Sequence, residues 1–176
     1  MNTTLPEYLP RIGDELTVSR KDSLRSMQNY TCTIISHDLK PGARGFPIIA
    51  EMQDGEEKRK VVIKIPNINE NYAGSDIDKR LGEFNEDIRR ELDAWGRLKN
   101  SEARNNVAEI FGSGSYQCYI NEIAYPIQFL VQEFVEGDPL RIWCEKKYGT
   151  PFSGIQDVKE WFEISRKLLE LSLIHI

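Results

Sequence analysis

Residues 60–65 read Lys60-Val61-Val62-Ile63-Lys64-Ile65, a run that is β-branched apart from its two lysines. Such a run predicts a strand, because branching at Cβ suits a pleated backbone. Its apolar residues fall on both alternating faces, so the strand is expected to be covered on each side. Lys64 then stands where an apolar residue belongs.

Working outward, Asp54-Gly55 is a strong hairpin turn, and residues 46–52 are a second apolar strand before it. Lys40-Pro41-Gly42-Ala43-Arg44-Gly45 is a turn, preceded by a β-branched strand at 30–35. These three strands predict an antiparallel meander. Residues 1–28 are polar, carry two prolines and show no sustained period, so no element is assigned to this leader.

Downstream, a loop through Pro66, Asn67 and Gly74 leads to a helix predicted near 83–99. At about 100° per residue, Phe84, Ile88, Leu92, Trp95 and Leu98 share one stripe about 120° wide. Strands are predicted at 107–111, with an extension through 116–120, and at 127–135. Asp138-Pro139 supplies an N-cap and an N1 proline for a short helix ending near Gly149. Ser153 and Gln156 have capping-box spacing for a last helix from 157 onward. Strands first and helices second predict an α+β arrangement.

Glu91 is the second misplaced charge. It projects at about -20° from Phe84 on the helical wheel, inside the apolar stripe, whereas Asp93 points away. An unpaired charge in an apolar setting is costly. One solution is that Lys64 and Glu91 face each other across a sheet-helix interface. The other is that Lys64 snorkels from an edge strand while Glu91 lies at the stripe's margin. Spacing alone leaves both open.

The 176 residues suffice for one domain with a real core; 40% are apolar and 29% charged, which excludes a disordered tail. The net charge of -5, from 28 acidic and 23 basic side chains, argues against phosphate-backbone binding to nucleic acid. The one basic run is Lys58-Arg59-Lys60. Cys32, Cys118 and Cys144 have no paired spacing and read as free thiols, and His37 and His175 have no ligand-like neighbours. No apolar stretch of about 18 residues is present and no signal peptide opens the chain, so a cytoplasmic protein without a membrane partner is expected.

The element order and the two charges resemble the front part of a protein-kinase domain. In that family a strand lysine holds the α- and β-phosphates of ATP and a helix glutamate orients it. Val61-Val62-Ile63-Lys64 resembles that strand, and Arg90-Glu91-Leu92 resembles that helix, which implies Lys64 and Glu91 as the catalytic pair. The run from Phe129 to Gly137 is similar to the family's hinge, after a run from Asn106 to Gly112 similar to the strand that follows the helix. The resemblance implies Gln132 as gatekeeper, the Glu133 carbonyl and Val135 amide at adenine, and Asp138 at the ribose. Ile35, Ile63 and Leu130 are expected around the base. Gly42 and Gly45 match the last two glycines of the phosphate loop, where Lys40 stands in place of the first.

The implied fold is a protein-kinase-like small lobe, a five-stranded antiparallel sheet plus one main helix, followed by the first helices of a helical large lobe. Its expected organisation is the leader 1–28, the small lobe 29–135, and the hinge exit with the start of the large lobe at 136–176. The segment 161–175 resembles the first long large-lobe helix, and neither His-Arg-Asp nor Asp-Phe-Gly occurs in the sequence. The expectation is a domain cut short before its catalytic loop, inactive alone. Leu168, Leu169 and Leu173 are then expected to be exposed and to favour self-association. The implied activity of a complete form is ATP-dependent transfer of the γ-phosphoryl to a protein hydroxyl, of Ser/Thr type, with ATP as cofactor and Mg²⁺ only in the complete domain. The alternatives are a pseudokinase-like interaction module and a small-molecule phosphotransferase with a similar small lobe.

Overall fold

The computed structural model of the chain describes residues 6–21, 27–39, 45–68, 74–101, 104 and 107–137. It divides into two compact units. One comprises Met1–Gly96 and Ala108–Phe134, the other Arg97–Val107 and Val135–Ile176. The first unit contains all the strands and most of the helix described below. The elements are β1 (Glu15–Lys21), β2 (Met27–Ser36), β3 (Gly45–Asp54), β4 (Glu57–Pro66), α1 (Gly74–Leu98), β5 (Ile110–Ile120) and β6 (Ile123–Glu133).

The six strands close into an antiparallel barrel in the order β1-β2-β3-β4-β6-β5. This overturns the expected open five-stranded, kinase-like small lobe. The strand responsible lies inside the leader. β1 reads Glu-Leu-Thr-Val-Ser-Arg-Lys and turns only Leu16 and Val18 inward, too short an alternation to stand out. It pairs with β2 from Glu15↔Thr33 to Lys21↔Met27 and meets β5 at Ser19↔Ser113.

Two glycines permit that meeting. A Cβ on Gly112, whose φ is +153°, would lie 2.4 Å from the Ser19 carbonyl oxygen; one on Gly114 would lie 2.4 Å from that of Thr17. Glycine within a strand marks such close backbone approach.

The hairpins follow their turn residues. Gly55, at φ +62°, opens the two-residue loop between Asp54 and Glu57, as the expected Asp-Gly turn requires. Asn121 and Glu122 both have positive φ and join β5 to β6, a hairpin the predicted strands left as a gap. β5 runs on as one strand through a bulge between Ile110 and Gly112.

Alternation sorts the barrel's two faces. Ile34, Ile48, Val61, Ile63, Ile127 and Phe129 point inward into one buried cluster. On the outer face, Leu130 packs with Phe84 and Ile88 of α1 in a second cluster. The barrel interior accounts for Val61, Ile63 and Ile65, whereas the outer face of the run carries Lys60, Val62 and Lys64, so the expected cover on both faces is corrected. Ile77 and Leu81, in the first turns of α1, join the barrel's own cluster. The helix therefore begins well before the predicted 83.

Candidate functional site

Lys64 and Glu91 meet. Lys64 Nζ donates to Glu91 Oε2 at 2.8 Å, a charge-assisted bond between β4 and α1. The register explains how. Lys64 pairs with Pro47 on β3 and Leu130 on β6, and opposed residues share a face, so Lys64 lies on the outer face with Leu130. Glu91 falls one to two turns beyond Phe84 and Ile88, which pack against that same Leu130.

The edge-strand alternative fails, because β4 is paired on both sides, by β3 and β6. Nor is either charge deeply buried. The two side chains keep 34% and 37% of their exposure, so the pair sits at a half-open margin and not in an apolar interior. An ion pair so placed contributes only about 0–1 kcal/mol to stability. An ammonium carries three N–H donors, and Glu91 takes one of them. Lys64 is thus a cation held in a defined direction at an accessible surface.

The adjacent basic run is occupied differently. Lys58 pairs with Glu51 at 2.6 Å and Arg59 with Glu57 at 3.2 Å, while Lys60 Nζ lies 4.0 Å above the Phe134 ring centre. Asp93 pairs outward with Arg89 at 3.5 Å, as its wheel position predicted.

The remaining expected residues are not gathered around Lys64. Gly45 is the first residue of β3, paired with Pro66, and a Cβ there would make only ordinary contacts at 3.5–3.6 Å with Ile65 and Phe84. It is a strand residue, with no loop geometry that demands glycine. Gly42, Asp138, Cys144 and the segment 161–175 lie outside the described residues. Ile63 and Leu130 cannot line one pocket, since the first faces the barrel interior and the second the helix. Ile35 is exposed on β2.

Glu133 ends β6. Its backbone N–H donates to the Glu109 carbonyl at 2.7 Å, and its Oε2 accepts the Glu109 N–H at 3.0 Å. Gln132 shares the outer face with Lys64, opposite Val62. Val135, in the second unit, is exposed. Burial pushes the Cys32 thiol up to about 12 and raises that of Cys118 as well, so neither is set up as a nucleophile.

Among the described residues, no three His, Cys, Asp or Glu side chains converge as a metal site, and no helix is long and apolar enough to cross a membrane. Sequence reasoning also missed Tyr8 and Arg80, which tie the end of β4 in place.

No protein-family model, curated protein or solved structure matches the chain. Among the described residues, fold and site together define a closed antiparallel barrel, braced outside by one helix and bearing a strand-to-helix Lys-Glu pair.

Proposed function

We propose that the chain binds the phosphates of ATP at Lys64, with Glu91 orienting the ammonium. In a complete form this would serve ATP-dependent phosphoryl transfer to a protein hydroxyl, of Ser/Thr type. One observation carries the reading: the 2.8 Å contact between Lys64 and Glu91. These are the two residues that the motif resemblance singles out. The fold lends no support, since the expected small lobe gives way to a closed barrel.

The chemistry at the pair suits an anion. A lysine ammonium recognises phosphate as a compact charge, and a carboxylate on one donor limits its rotation. Half-exposure lets a ligand approach without the cost of burying a lone charge. For Mg²⁺ the described residues supply no ligand cluster, so no step is assigned to it.

Equilibrium binding of radiolabelled ATP tests the reading. Binding by the wild-type chain with a Kd of about 0.1–1 mM, about -4 to -5.5 kcal/mol, should be lost in Lys64→Met. Binding that survives Lys64→Met would remove Lys64 from the site. A second reading, a non-catalytic interaction module, is favoured by the closed barrel and by Gly45 serving as a strand residue. It predicts that the wild-type chain binds ATP weakly or not at all, with no dependence on Lys64.

A further inference from the structure

The exit of β4 is held by one buried residue of the barrel's core cluster, Tyr8. Its phenol oxygen accepts the Ile68 N–H at 3.0 Å, and its carbonyl oxygen accepts the Tyr116 hydroxyl at 2.7 Å. Desolvation holds the Tyr116 hydroxyl well above the usual phenol range, so it remains a donor at neutral pH. Tyr8 belongs to the same buried cluster as Ile65 and Ile68 after Lys64, and as Ile77 and Leu81 on α1. A second tie runs the same way, from Arg80 Nε to the Asn67 carbonyl at 3.2 Å.

Lys64 rides on β4 and Glu91 on α1. Lys64 is set by the pairing of β4 and Glu91 by the packing of Phe84 and Ile88 on Leu130, and the tie at the exit of β4 sets how α1 starts against that strand. A half-exposed ion pair is too weak to hold a 25-residue helix by itself. The buried N–H of Ile68 is a stronger constraint, because losing its acceptor would leave a donor without a partner.

We infer that Tyr8 is a positioning residue for the Lys64–Glu91 pair: the seated N-terminal segment brings the charges together, and its release separates them. In its consequence for nucleotide, this rests on the phosphate-binding reading of Lys64. The geometry itself does not.

The test is pulse acylation of lysines, read by mass spectrometry on wild type, Tyr8→Phe and Tyr116→Phe. An ammonium paired with a carboxylate acylates slowly. Tyr8→Phe keeps the ring and deletes only the acceptor, so acylation at Lys64 should rise by up to about fivefold, equivalent to roughly 1 kcal/mol of lost pairing. Tyr116→Phe, which frees the other side of Tyr8, should act in the same direction. Lys60 and Lys79 should keep their wild-type rates, and amide exchange in β3 and β6 should stay as slow as in wild type. A Lys64 rate that does not change, or that rises only in step with Lys60 and Lys79, overturns the inference. A selective rise in a chain that binds no ATP would uphold it and defeat the phosphate reading alone.

Discussion

Gly114 lies under the Phe129 ring and against Thr17. A Cβ built there would approach both Phe129 Cζ and the Thr17 carbonyl oxygen to 2.4 Å. The ring can shift, but the β1 backbone cannot without opening the seam that closes the barrel. Gly114→Ala should therefore destabilise the fold by about 1–3 kcal/mol, the usual range for overpacking. The matched control is Gly82 on α1, where nothing lies within 4 Å of such a Cβ. Gly82→Ala should stabilise by about 0.5–1 kcal/mol, because glycine inside a helix costs that much relative to alanine. Denaturant unfolding of both variants measures the contrast, and equal effects would contradict the seam.

Stability should fall at high pH. Burial takes the Cys32 thiol from an ordinary 9.0 to about 12, and it raises the Cys118 thiol and the Tyr116 hydroxyl too. Below about pH 9 the Cys32 thiol is protonated in both folded and unfolded chains, and its contribution is intact. Above that, the unfolded thiol ionises while the folded one holds its proton, so stability is lost as pH climbs toward 12. Each such group removes up to about 1.4 kcal/mol per pH unit. Urea midpoints between pH 8 and 11 should decline, less steeply in Cys32→Ala; a flat profile would count against the buried thiol.

The start of α1 offers a third check. Ile77 is 1% and Leu81 7% exposed, and both belong to the barrel's cluster. Truncating either to alanine should cost about 2–5 kcal/mol. Ile35→Ser, at a residue 43% exposed, should stay within about 0.5 kcal/mol. If Ile77→Ala proves as mild as Ile35→Ser, the helix does not pack there.

That helix shows how far the chain could be read in advance. Its stripe from Phe84 to Leu98 was legible because five apolar residues keep one period, and Glu91 stood out against them. Ile77 and Leu81 continue the same stripe backward, but Gly74 and the polar residues around it suggested a loop. The strands around Ile34, Ile48, Ile63 and Phe129 were likewise visible as β-branched or aromatic runs. β1 was not, since two inward residues among seven carry almost no periodic signal. Its partner signal, Gly112 and Gly114, speaks of a close neighbour without saying which. That missing strand separates the expected open sheet from the closed barrel. At the site, the two charges were readable against their apolar neighbours, but spacing left their pairing open and only the motif resemblance implied it. The loop glycine was not, because Gly45 serves a strand as readily as a phosphate loop.

The central claim is that Lys64, turned by Glu91, takes a nucleotide's phosphates. The most direct measurement is amide chemical-shift mapping of the chain with ATP and with adenosine, repeated in Lys64→Met. With ATP, the largest shifts should fall on residues 62–66 and 88–92, should saturate at about 0.1–1 mM, and should vanish in Lys64→Met. Adenosine should leave those residues still. Shifts confined to Lys58, Arg59 and Lys60, or a spectrum that ATP does not move, would contradict it.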